Sequence, residues 1–262
     1  MTTTIKIASI HTIFLPNAIC LSKRTGYEYT SDLNEPIYYC IYGSHINPMA
    51  LLKIRETTKC KFIIFQSEHY SSPAFSNKYY IQLLQQSYIV DYLPANKQWL
   101  EINWRLFCIS YHWFEFPPQN PLLIRPIDIL FIGAKSDERV AVELLLKNKH
   151  PHLQIKFIYP DKYTDISNIL KSAVTVLNIE YYKNNFETHR INQALSCGCN
   201  IISHETNHLH ELYKDYISFT NDFESCRNVP TKSYADLVEN QSYVVSMHLK
   251  WSLQMVSERE ID

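Results

Sequence analysis

The chain has 262 residues, 46% of them hydrophobic and 19% charged, enough for one large core or two smaller ones. Its formal net charge of -1 leaves no overall basic footprint, which argues against a nucleic-acid partner. Seven scattered cysteines, an odd number with no zinc-ribbon spacing, suit reduced thiols. Together with the absence of a basic-then-apolar leader and of any transmembrane-length apolar run, they lead us to expect a cytoplasmic protein.

In chain order, "TIKIASI" reads as a short buried strand, and a polar, proline-containing stretch follows to Pro36. "IYYCIYG" is a second strand ending at Gly43, and "PMALLKIRETT" a helix with Pro48 in its first turn. "CKFIIFQSEHY" is a strand that finishes in polar residues, and "SNKYYIQLLQQS" an amphipathic helix. "YIVDYL", "PANKQWLEINW" and "LFCISY" read as strand, helix and strand. The segment 114–126 holds four prolines without periodicity and reads as a linker. The alternation then restarts with the strand "IDILFIG" and the helix "SDERVAVELLLKNK", for which Ser136 is the expected N-cap. "QIKFIYP", "DISNILKSA" and "VTVLNIEYY" are strand, helix and strand, followed by the helix within "NNFETHRINQALSCG" and the strand "CNIISHE". Residues 233–256 read as one long closing helix. Strands alternating with helices of this length predict an α/β fold of two Rossmann-like domains, each a parallel sheet with flanking helices. The expected boundaries are 1–120, 121–240 and a closing helix over 241–262.

In such sheets ligands gather past the carboxyl ends of the strands. The residues expected there are His45, Gln66, Glu68 and His69 in the first domain. In the second they are Gly133 to Arg139, Tyr159 to Asp161, Asn178, Glu180, and Asn185 to Arg190. Two such edges facing across a proline-rich hinge would form a cleft with a donor side and an acceptor side. A helix N-terminus presents unpaired N–H groups and partial positive charge, so it suits a phosphate, and Arg190 adds a forked donor. Glu187 either accepts from sugar hydroxyls, orients Arg190, or forms no more than a local i,i+3 pair with it.

The stretch "TVLNIEYYKNNFETHRINQALSCGCNIIS" resembles the carboxyl-terminal domain of GT-B glycosyltransferases, especially the CgeB-like group. Glu187, Arg190, Gln193, Ala194, Leu195, Cys197, Gly198, Ser203 and Glu205 fall on the pattern of that family. "ILFIGAKSDER" is similar to its domain-opening strand, glycine loop and arginine, and "FQSEHY" with "YIVDYLPANKQWL" to its amino-terminal pattern. The resemblance covers residues 60–220. It implies a GT-B arrangement and metal-independent transfer of a sugar from a nucleotide-sugar donor to a hydroxyl on a glycan or protein acceptor, with no cofactor. It further implies donor binding by Gly133, Arg139, Tyr159, Asn178, Asn185, Glu187, Arg190 and Gln193. Of these, Arg139 and Arg190 would neutralise the leaving diphosphate, Asn178 and Glu187 would bind hydroxyls, and Tyr159 would pack on the base. Many retaining members carry two glutamates where this chain has the amides Asn185 and Gln193, so the stereochemical outcome stays open. An inverting route needs an acceptor-side base, for which Glu68 or His45 is the choice, with His69 and Asp91 also near strand ends.

Two other readings compete. A non-catalytic nucleotide-sugar-binding module fits the two amides. "HETNH", His204 to His208, matches a zinc-peptidase H-E-x-x-H, which requires both histidines on one helix face.

Overall fold

The computed structural model describes residues 4–91, 96, 108–110, 116–159, 166–182, 187–205, 213–220, 223 and 234–237. By its internal contacts the chain divides into two compact units, Met1–Glu115 with Gln241–Asp262, and Phe116–Asn240. The expected closing helix over 241–262 lies outside the described residues.

In the first unit, strands β1 (Ile5–Ser9), β2 (Glu28–Tyr29), β3 (Tyr38–Tyr42), β4 (Lys61–Gln66), β5 (Tyr88–Asp91) and β6 (Cys108–Ser110) form one sheet, ordered β2-β1-β3-β4-β5-β6. Every pairing is parallel. All five residues of β3 and the last five of β4 are buried, as expected for strands covered on both faces. Helices α1 (Leu15–Thr25), α2 (Pro48–Thr58) and α3 (Lys78–Gln85) flank the sheet. Leu51, Leu52, Leu83 and Leu84 from α2 and α3 pack on Tyr39, Ile41, Phe62 and Ile64. Asn47 caps α2 through Ala50 N and Asn77 caps α3 through Tyr79 N, as short polar side chains do at helix starts.

Helix α1 falls in the stretch read from sequence as polar and proline-containing, to which no helix was assigned. Its inward face, Asn17, Ala18, Leu21 and Thr25, mixes polar with apolar side chains and so hides the helical period. The two-residue β2 also escaped the reading.

In the second unit, β7 (Ile127–Ile132), β8 (Ile155–Ile158), β9 (Ala173–Asn178), β10 (Asn200–His204) and β11 (Ser218–Thr220) are ordered β11-β10-β9-β7-β8, again all parallel. Counted from β7 this is the doubly wound order 2-1-3-4-5, which opens a crevice where the winding reverses, between β7 and β9. Helices α4 (Asp137–Lys149), α5 (Ile166–Lys171) and α6 (Thr188–Ser196) connect these strands. The core joins Phe131, Leu146, Ile155 and Leu177. Ser136 caps α4 by accepting from Arg139 N at 3.3 Å, as its position in the sequence suggested. No described helix is long and apolar enough to cross a membrane.

Candidate functional site

The reversal point of the second sheet gathers two arginines and a glutamate. Arg139 stands in the first turn of α4 with its side chain 1% exposed. Its guanidinium bridges the loops that follow β7 and β9: Nη1 donates to Ala134 O at 2.7 Å, while Nε and Nη2 donate to Ile179 O at 3.2 and 2.6 Å. Nη2 also donates to Glu187 Oε1 at 3.2 Å. The group lies over the Phe131 ring at 4.8 Å and the Tyr181 ring at 5.1 Å. Burial, reinforced by the neighbouring Arg190 charge, pulls its pKa below the ordinary guanidinium range, and Glu187 opposes that shift.

Glu187 is the N-cap residue of α6, yet its side chain makes no capping bond to the helix. Its two oxygens are divided instead: Oε1 takes Arg139 and Oε2 takes Arg190 Nη2. The i,i+3 pair between Glu187 and Arg190 that the sequence allowed is present, and Arg139 adds a second arginine that the local pair did not include. Arg190 also approaches the Phe131 ring, at 5.5 Å. Its Nη1 is buried with no hydrogen-bond partner among the described residues. A buried, charged donor left unmade is costly, so it marks a place where a further group fits.

Gly133 ends β7 directly beneath this cluster. A methyl group there would meet Phe131 Cζ at 2.9 Å, Arg190 Nη2 at 3.0 Å and Arg139 Nη1 at 3.3 Å. The glycine is therefore needed for the guanidiniums to approach the strand end. Asn178 closes β9 and is buried; its Nδ2 donates to Ser203 Oγ at 2.9 Å, and its Oδ1 has no partner among the described residues. Gln193 lies partly exposed on α6. Asn185 lies outside the described residues.

Tyr159, expected on the base, follows β8. It packs against Phe131 and Phe157 at the edge of the core, and its hydroxyl donates to Glu143 Oε2 at 3.0 Å. Burial pushes its pKa up to about 12, so the phenol stays protonated and available as that donor. Arg139, expected on the diphosphate, has most of its donors committed to protein oxygens. Phe131, the platform under both arginines, was not among the residues expected from sequence. It lies in a hydrophobic strand and nothing local distinguishes it.

His204 ends β10, a strand, and its Nε2 lies 3.8 Å from Glu138 Oε1. The helix demanded by the zinc-peptidase reading is absent at this residue, and His208 lies outside the described residues. No group of three or more metal-ligating side chains gathers among the described residues. A cavity of about 300 Å³ lined by Gln119, Ser196, Asn200, Tyr216 and Tyr234 opens at the other edge of this sheet, where β10 begins, and takes in none of the expected site residues.

In the first unit, the carboxyl ends of β3 and β4 bring His45 and Glu68 together, with Nε2 to Oε1 at 3.4 Å. Gly43 lets the chain turn from β3 toward α2 with φ of 74°, and a side chain there would strike Phe14 at 2.8 Å. His45 follows that turn, between the edges of Phe14 and Tyr80. Burial lowers its pKa, and Glu68 opposes the shift. Around Glu68 run contacts to Gln66, Ser72 and Asn96. His69 is buried, its Nδ1 accepting from Ser71 N. Asp91 is fully buried and accepts from Gln66 Nε2 at 2.9 Å.

No protein-family model matches the chain, and no curated protein does. Among solved structures, the chain is similar to the GtfA/B complex at 12% identity and a TM-score of 0.43, over 87% of this chain and 58% of that one. It thus spans less than two thirds of that structure's length. It is also similar to sucrose-phosphate synthase from Thermosynechococcus elongatus, at 11% identity and a TM-score of 0.49, over 92% of this chain and 76% of that one.

Proposed function

We propose that the chain is a GT-B-type glycosyltransferase that moves a sugar from a nucleotide-sugar donor to a hydroxyl acceptor on a glycan or protein, with no metal ion. The observation that carries this reading is Arg190: a guanidinium steered by Glu187, resting over Phe131 at the reversal point of a doubly wound sheet, with a buried Nη1 unpartnered among the described residues. The diphosphate of a nucleotide sugar supplies the anionic oxygen that such a donor lacks, and the charge that grows on it as the sugar leaves is what a fixed cation stabilises. The unpartnered Asn178 Oδ1 is an acceptor suited to a ribose or sugar hydroxyl. In the first unit, Glu68 with His45 supplies the base for the acceptor hydroxyl.

The test is a thermal-shift and calorimetric titration against UDP-, GDP-, ADP- and TDP-sugars. A donor at a hundred times its Kd adds about 2.7 kcal/mol, a rise in Tm of roughly 5–10 °C. Arg190→Ala is expected to weaken donor binding by about 10- to 100-fold, the worth of one charged hydrogen bond, while the unliganded Tm moves far less. An Arg190→Ala protein that binds donor normally and only melts lower would make the residue a structural ion-pair partner. Tight binding of a nucleotide sugar without hydrolysis or transfer would favour the non-catalytic module.

A further inference from the structure

Glu68 is held by more of its neighbours than a surface glutamate needs. Its backbone is gripped at both polar atoms: its N–H donates to Gln66 Oε1, and its carbonyl accepts from Gln66 Nε2 and, at 2.6 Å, from Asn96 Nδ2. Gln66 and Asn96 are themselves fully buried and both donate to the buried Asp91 carboxylate, Gln66 at 2.9 Å and Asn96 at 3.2 and 3.3 Å. A second layer holds the side chain. Ser72 Oγ donates to Oε2 at 2.7 Å, and His45 Nε2 stands 3.4 Å from Oε1. His45 in turn meets Ser67 Oγ through Nδ1 at 3.5 Å.

Proton placement follows from these contacts. Two lone pairs facing each other at that separation repel, so a proton lies between the Glu68 carboxylate and His45 Nε2. With the proton on Nε2, Nδ1 is an acceptor served by the Ser67 hydroxyl, which can donate or accept, so the acceptor-only Glu68 carboxylate selects the tautomer. Both imidazole nitrogens are then occupied, and the ring is wedged between Phe14 and Tyr80. Glu68 keeps free lone pairs and has its side chain 26% exposed, against 19% for His45. Burial also favours neutral His45, against the opposing field of Glu68 and with that of His11. Tyr80, the other polar neighbour of the ring, lies near Asp91 and is held protonated by burial.

We propose that Glu68, not His45, is the proton-accepting carboxylate of this edge, and that His45 is a positioning residue held as its Nε2–H tautomer by Glu68. Ser72, Gln66, Asn96 and Asp91 complete the mount. This assignment rests on the transfer reading above for its reaction. There the acceptor O–H proton passes to Glu68 as the acceptor oxygen bonds to the sugar's anomeric carbon; the anomeric carbon–phosphate oxygen bond breaks, and nucleoside diphosphate departs with that electron pair. Glu68 then returns its proton to water.

The first readout needs no substrate. In full-length protein carrying ¹⁵N-histidine, long-range proton–nitrogen correlation spectra show the protonation of each ring nitrogen, with His45 assigned through His45→Gln. At pH 7 the ring is expected neutral with its proton on Nε2. Ser67→Ala is expected to leave that tautomer in place, and Glu68→Gln, which keeps the size and the Ser72 partner, to shift it toward a mixture of tautomers and lower its pKa. The second readout is transfer: Glu68→Gln is expected to lower kcat by about 100-fold or more with donor Kd unchanged, and His45→Gln by much less. An Nδ1-protonated or cationic ring at pH 7, or a His45 pKa indifferent to Glu68→Gln, overturns the proposal. So does transfer that survives Glu68→Gln but not His45→Gln. If no nucleotide sugar binds the wild-type protein, the donor reading falls, and the spectra alone decide whether the mount exists.

Discussion

Arg139 and Arg190 share one carboxylate but meet it from different surroundings. The first is sealed beneath the strand ends with its donors spent on carbonyls, and the second is a fifth exposed with a nitrogen to spare. The first ties two loops together through Ala134 O and Ile179 O, and under the proposed function the second holds the donor's diphosphate. His189 stands beside Arg190 on α6, with its ring against the edge of Phe116. Burial, with help from the Arg190 charge, drives its pKa from 6.5 down to about 3. The unfolded chain therefore takes up a proton near pH 6.5 that the folded chain refuses until far lower, and folding weakens as pH falls through that window. Between pH 8 and 5.5 this single group is expected to cost about 1.4 kcal/mol of stability. Urea melts of wild type and His189→Asn at the two pH values check it; the variant is expected to lose that increment, though His45 and His204, also lowered by burial, leave a residual slope of the same sign.

Among the elements, the turn from β7 into α4 carries the candidate site, and Gly133 is its pivot. Gly133→Ala pushes a methyl group into Phe131 and the Arg190 guanidinium at 2.9 and 3.0 Å. We expect a loss of about 1–3 kcal/mol in stability from overpacking, with donor affinity falling further than for a neutral surface change; denaturant melts and titration separate the two. How far this site could be read from sequence follows from the same geometry. Strands ending in polar residues, and a helix opening with Glu187 and Arg190, announce themselves because polar groups at buried strand ends need a reason. The three-way link among Arg139, Glu187 and Arg190 did not announce itself, because 48 residues separate Arg139 from Glu187 and no local period joins them. Asn96 lies within the segment that carries the amino-terminal resemblance, but its bonds to Glu68 and Asp91 are set by sheet order and no local period shows them. Helix α1 was hidden by its mixed inner face, and β2 and β11 by lengths of two and three residues.

At the scale of the whole molecule, the chain divides into two compact units, and among the described residues each holds a hydrophobic core of its own. Differential scanning calorimetry is expected to give a van't Hoff enthalpy below the calorimetric one, since each core melts on its own terms. Arg139→Met removes one of the two arginine partners of Glu187 and leaves the carbonyls of Ala134 and Ile179 without this donor, and each lost hydrogen bond to a charged group costs about 1.5–3 kcal/mol. The component belonging to the second unit is therefore expected to drop by roughly 10 °C or more while the other stays in place. A single transition that moves as one would show that the two cores are coupled.

Both sheets are parallel at every described pairing, so no two neighbouring strands are joined by a hairpin. Strand β1 lies inside its sheet, and its register with β3 exists only once residue 42 has been synthesised. Likewise β7 waits for β9, whose last residue is 178, before it is flanked on both sides. Each nascent sheet thus spends its early life with an interior strand bare, a span in which a chaperone that shields apolar segments has most to offer this chain.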